Sequence, residues 1–255
     1  MSVIGCMRRC LWLIVAFLPL GLRAEMPAPL QAAVDKLIAD TDHWAYTQEV
    51  REYSRRGDPE GGPTLERYDP SKPDDEQWSL RLYRGRIPSE EDIRTWKRRK
   101  EREARRRERP LGEVMDFERA TLVEEQPEVY LYRVPIKPGV SRRLPSDKFE
   151  VVVRVGKARS EIERVTVRAT EGFRLSGVAG LAARVDRVEI DAVFAVVDPA
   201  YAAQPSRIIA EGAGKVAWVF RVGGRAEIAW SEITRVKPYK DRFGVEIGDV
   251  KALDF

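Results

Sequence analysis

Residues Thr64–Arg109 read TLERYDPSKPDDEQWSLRLYRGRIPSEEDIRTWKRRKEREARRRER. Thr64–Asp69 and Gln77–Tyr83 carry strand patterns, and Trp78, Leu80 and Leu82 alternate with Ser79, Arg81 and Tyr83. Between them, Asp69-Pro70-Ser71-Lys72-Pro73-Asp74-Asp75 is turn chemistry: proline removes a ladder donor and aspartate bonds its own backbone. Gly85 ends the second strand. Pro88-Ser89, with Asp92 three residues on, opens a helix that is predicted to run from about 89 to 108 and to stop before Pro110. Its strong apolar residues are Ile93 and Trp96; from Lys97 to Arg109 only Ala104 is apolar, so that half is expected to project into solvent or lie on a polar surface.

Upstream, Arg8 and Arg9 precede an apolar run, Leu11–Leu20, and a small residue, Ala24, stands before Glu25. This is the anatomy of an exported chain's signal peptide, residues 1–24, with cleavage expected between Ala24 and Glu25. The run is shorter than the roughly 20 residues a spanning helix needs. Cys6 and Cys10 sit outside any lipidation box. Residues 1–24 hold three arginines and no acid, so cleavage takes the formal charge from +4 to +1 (4 − 3). A near-neutral chain of about 230 residues has no global basic field to argue for nucleic acid or an acidic membrane. Both cysteines leave with the signal, so no disulfide and no thiol nucleophile is expected.

In the remaining chain, Leu30, Val34, Leu37 and Ile38 form one helical stripe over 26–40. Trp44–Tyr53 is a strand with Trp44, Tyr46, Gln48 and Val50 on one face, and Arg55–Pro63 closes its loop. From Val114 onward the pattern is strand after strand: Phe117–Val123, Glu128–Ile136, the hairpin Lys148–Lys157 with Glu161–Thr170, Phe173–Leu175, Ala183–Asp198, Gly214–Val222 and Arg225–Val236. Gly223-Gly224 reads as a tight hairpin turn between the last two. Phe243–Phe255 could add another strand. The expected fold is mainly β (α+β): a curled antiparallel sheet of about ten or eleven strands, with a short N-terminal helix and a long charged one, in a single domain over 25–255. One apolar face and one charged face per strand imply a sheet wet on one side. A closed barrel, a sandwich and a half-barrel all satisfy that. An outer-membrane barrel does not, because strands such as Glu161–Thr170 carry charges a lipid-facing band excludes.

Catalytic signals are sparse. His43 is the sole histidine and no Gly-x-Ser-x-Gly elbow is present. Without cysteine and with one histidine, the usual zinc and copper ligand sets are excluded, and no cofactor or metal is expected. Gly212-Ala213-Gly214-Lys215 lacks the full phosphate-loop spacing and reads as a turn.

Glu66-Arg67-Tyr68-Asp69-Pro70-Ser71, then Trp78-x-Leu80, then Gly85-x-x-Pro88-Ser89 and a charged helix resemble a group of exported bacterial proteins of the periplasmic lipoprotein-carrier superfamily, the fold of LolA, LolB and the sensor domain of RseB. The motif covers residues 64–92. The resemblance implies an unclosed half-barrel whose concave apolar face, lidded by helices, binds acyl chains in the periplasm. It carries no acyl-binding or lid residue to a position here. The first expectation is therefore a non-enzymatic, soluble periplasmic protein holding a lipid, an acyl chain or a lipidated protein. Its candidate concave residues are Trp44, Tyr46, Trp78, Leu80, Leu82, Val151, Val153, Phe194, Trp218 and Phe220, each equally readable as ordinary core. The second is an envelope interaction module using the arm 97–109, where Lys97, Arg98, Arg99, Arg105, Arg106 and Arg107 would meet an acidic partner or anionic head groups, with membrane association at most peripheral. A hydrolase using carboxylates is the third.

Overall fold

Strands with one apolar and one charged face need neighbours that repeat that division, and the computed structural model supplies them in one sheet. The residues described are 26–39, 43–105, 111–140, 145–178, 181–216 and 220–242. The strands are β1 (Trp44–Ser54), β2 (Thr64–Tyr68), β3 (Trp78–Leu82), β4 (Thr121–Glu125), β5 (Val129–Arg133), β6 (Phe149–Gly156), β7 (Glu161–Ala169), β8 (Phe173–Val178), β9 (Leu181–Ala195), β10 (Gln204–Val216) and β11 (Phe220–Arg235). Their order is β3-β2-β1-β11-β10-β9-β7-β6-β5-β4, and β8 pairs with β9 beside β7. Every pairing is antiparallel. Among the described residues β3 and β4 end this order and do not pair with each other, so the curled sheet is an unclosed half-barrel. Three α-helices among the described residues accompany it: α1 (Ala28–Ala39), α2 (Glu90–Arg105) and the single turn α3 (Leu111–Val114).

Register shows that one face is continuous across the sheet. Val153, Val165, Ala192, Ile208, Ile228, Val50 and Thr64 are successive cross-strand partners from β6 to β2. Opposed residues in a ladder share a face, so this row marks the inner side. The alternate row, from Val152 through Thr166, Asp191, Ile209 and Glu227 to Arg51, marks the outer side. Ion pairs cover that side: Arg164 holds Asp191 at 2.5 and 2.7 Å, Arg154 meets Glu163 at 3.0 Å, Arg207 meets Glu227 at 3.1 Å, and Arg187 reaches Glu189 at 2.8 Å and Glu211 at 3.3 Å. The Arg164 guanidinium holds the Asp191 carboxyl below its usual range. Exposed pairs of this kind add little stability, but they keep the outer side in water.

The core forms where α1 lies against β6 and β7. Leu30, Ala33 and Val34 are buried with Tyr132, Val134, Val151, Val153, Val155 and Ile162. The helical stripe is therefore Leu30, Ala33, Val34 and Leu37; Ile38, assigned to it by spacing, is 57% exposed.

Three readings of the later strands need correction. Gly223-Gly224 is not a hairpin turn. It lies inside β11, opposite Ala213 and Gly212 on one side, with Gly224 opposite Ser54 on the other. A Cβ on Gly223 would stand 2.4 Å from the Gly212 carbonyl oxygen, and one on Gly224 would stand 2.5 Å from that of Tyr53. Glycine is present there because neighbouring backbones come close. Gly212-Ala213-Gly214-Lys215 is likewise strand, part of β10, which starts at Gln204 rather than at Gly214. Phe117–Arg119 is a 3-10 turn, so the strand predicted from Phe117 begins at Thr121. The strand proposed for 243–255 lies outside the described residues.

Candidate functional site

The inner face has three zones. At the β5–β7 end, α1 seals it. Val151 and Val153 are 2% exposed, and Phe194 packs against the same cluster. Val151 and Val153 are core, because α1 lies against β6 and β7 in front of them, whereas Phe194 is half-buried at the edge of that cluster. Trp44 is also core: it is 3% exposed and meets Tyr201 edge-on at 5.8 Å. Tyr201 in turn carries the Arg235 guanidinium 3.9 Å from its ring.

At the β1–β3 end the face is aromatic and ionic. Tyr46, Tyr68 and Trp78 form a cluster with ring centroids 4.9 to 6.1 Å apart. Glu66 stands beside it on β2 with its side chain 2% exposed. Helix α2 reaches this point through its own start. The Tyr83–Arg86 turn backs onto the residues before β2, where Gly85 N–H donates to Pro63 O at 2.8 Å and a Cβ on Gly62 would be 2.6 Å from Gly85 Cα. Ser89 and Asp92 then form the expected capping box: Ser89 N–H donates to Asp92 Oδ2 at 2.8 Å and Asp92 N–H donates to Ser89 Oγ at 3.2 Å. Hydrogen bonds from Ser89, then from Arg86, lower the Asp92 carboxyl to about 2.

One turn further on, Trp96 Nε1–H donates to Glu66 Oε1 at 2.7 Å and Arg99 Nη2–H donates to the same oxygen at 2.8 Å. Lys100 Nζ lies 2.7 Å from Glu66 Oε2 and 3.8 Å from the centroid of Trp78. A buried carboxylate is costly unless paired and hydrogen-bonded, and α2 meets that cost with two cations and an indole. Of the two expectations for the arm beyond Lys97, Arg99 and Lys100 follow the second and lie on a polar point of the body. Lys100 is 18% exposed and Arg99 48%. Lys97 and Arg98 are exposed, Arg105 ends α2, and Arg106 and Arg107 lie outside the described residues. Glu66 and Tyr68 lie within the 64–92 motif yet outside the candidate site residues; their signal in the sequence is an acid on the same strand face as Tyr68, opposite Leu80 and Trp78.

Between these ends lies a strip on four long strands: Ile190 and Ala192 on β9, Ile208 and Ala210 on β10, Ala226, Ile228 and Trp230 on β11, and Val50 on β1. All eight are half-buried, and none belongs to the cluster that α1 closes. Beside the strip, under α2, a cavity of ≈ 120 Å³ is lined by Val50, Glu52, Thr64, Glu66, Tyr83 and Arg99, among others. Of the remaining candidates, Leu80 is half-buried opposite Glu66, and a register shift seats Leu82 opposite Leu65. Leu65 pairs with Glu49 of the outer row, so Leu82 does not join the Trp78–Leu80 surface. Phe220 pairs with Val216 at the start of β11, and Trp218 lies outside the described residues.

His43 has its Nε2 3.8 Å from Asp241 Oδ2. Among the described residues no group of three His, Cys, Asp or Glu side chains could hold a metal ion, and no helix is long and apolar enough to cross a membrane. No family model and no curated protein matches the sequence. Among solved structures, a LolA superfamily protein from Nitrosomonas europaea is similar over 87% of this chain and 98% of its own, at 12% identity and a TM-score of 0.39. At those values no residue role transfers, and the half-barrel described above rests on the strand pairing itself.

Proposed function

We propose that the protein is an exported, non-enzymatic binding protein that holds a hydrophobic ligand, such as a lipid, an acyl chain or a lipidated protein, on the inner face of its half-barrel. One observation carries this reading: the eight-residue apolar strip on β9, β10, β11 and β1 stands between two helices and outside the core that α1 closes. A sheet whose outer side is an ion-pair lattice has one side left for apolar burial, and only part of that side is filled by its own helix. An acyl chain laid along the strip would gain about 0.8 kcal/mol per buried methylene. The ligand surface is then centred on Ile190, Ile208, Ala210 and Ile228, with Trp78 and Tyr46 at its aromatic end, rather than on Val151, Val153 or Phe194.

The test is native mass spectrometry of the protein purified from its own envelope fraction, followed by organic extraction. A co-purified lipid is expected, and Ala210→Trp, which fills the middle of the strip, is expected to abolish it while the circular dichroism spectrum stays unchanged. A ligand-free mass, with the strip equally protected from hydroxyl-radical labelling before and after extraction, overturns the reading.

A further inference from the structure

Eight arginines of the sheet's outer side, Arg51, Arg133, Arg154, Arg164, Arg168, Arg187, Arg207 and Arg225, each meet a carboxylate. The solvent side of α2 breaks that pattern. Arg94, Arg98 and Arg102 recur every four residues with Lys97 beside them, on the side turned away from buried Trp96. All four are exposed, and none forms an ion pair with a described residue. The acids on this side are Glu90 and Glu91 in the first turn, where they complement the helix dipole, and Glu101. Glu66 prevents this ridge from rolling over, because Trp96, Arg99 and Lys100 on the other side of the helix are tied to it. At the N-terminal end of the ridge, Ile87 is 85% exposed, the highest value among the described exposed large apolar residues, and exposed Arg84 and Arg86 flank it.

We propose that this side of α2, with the Ile87 tip, is a docking surface for a membrane bearing anionic lipid. A straight row of unpaired cations on a helix clamped from behind fits a flat anionic surface, which all four can approach together. An exposed isoleucine rimmed by arginines adds the apolar contact that an interface-seeking surface uses besides charge. The proposal does not depend on a ligand occupying the inner strip.

The experiment is co-sedimentation of the purified protein with phosphatidylcholine vesicles, with and without phosphatidylglycerol. Binding is expected only to the anionic vesicles, and it is expected to fade as salt shortens the screening length. Each cation near such a surface is worth about fivefold in affinity, so the R94E/K97E/R98E variant should bind at least about a hundredfold more weakly. These side chains make no described ion pair, so an unchanged circular dichroism spectrum should accompany the loss. Ile87→Ser should weaken vesicle binding while leaving any binding to soluble polyglutamate unchanged. Equal sedimentation of the triple variant and the parent overturns the proposal. So does binding to polyglutamate as tight as to vesicles with no effect of Ile87→Ser, which would assign the ridge to an acidic protein instead.

Discussion

At one end of the inner face α1 meets the sheet through buried apolar Leu30, Ala33 and Val34, with a polar contact at the rim where Lys36 Nζ donates to Arg159 O. At the other end α2 meets it through Trp96, Arg99 and Lys100, and the contact converges on a single buried carboxylate, Glu66. The two helices do the same geometric job with opposite chemistry. A dry contact gains from area and tolerates sliding. A contact focused on one carboxylate specifies position, because each donor has one acceptor and one direction. The apolar strip lies between them, so the first helix fixes where the core stops and the second fixes where the strip ends.

The difference can be broken from either side. Leu30→Ala removes the centre of the dry contact and should cost about 2–5 kcal/mol of global stability, read as a shift of the whole denaturant transition. Glu66→Gln should cost less, about 1–3 kcal/mol, since Arg99 is already half in water and regains solvation. Its effect should be local: hydrogen exchange over 90–105 rises while β6 and β7 keep their protection. If both variants unfold the protein uniformly, the two ends are one cooperative unit and the contrast fails.

The smallest effect concerns the start of α2. The Asp92 carboxyl is lowered from 3.8 to about 2 by Ser89 and Arg86, so its cap is fully present above the unfolded value and is lost as pH falls through the folded one. Amide protection in the first turn of α2 should therefore decline between about pH 4 and 2, and Asp92→Asn should remove that dependence. Protection over α1, where no acid stands in the first turn, should show no such step.

Much of this was legible in local pattern. The alternation of β1, β3, β6 and β7, the Ser89–Asp92 cap and the Asp69 turn, with Ser71 N–H on Asp69 Oδ1 at 3.1 Å, all depend on neighbours in sequence. The pair Gly223-Gly224 was misread because its reason is a contact 11 residues away in Gly212 and roughly 170 away in Tyr53, and a glycine that permits close approach looks the same in sequence as one that permits a turn. The choice between solvent and a polar surface for Lys100 was not legible for a related reason: only a buried acid supplied by β2 makes the inward direction favourable.

The sequence alone therefore determined the periodicities: which positions alternate, where α2 is capped, and that one side of the sheet is charged. Tertiary structure alone decided that β1 pairs with β11, through contacts such as Trp44 with Arg235, and thereby placed four long strands between the two helices. Alternation specifies the side a residue faces but not the strand it faces, and the partner is chosen only when distant backbones find a common register.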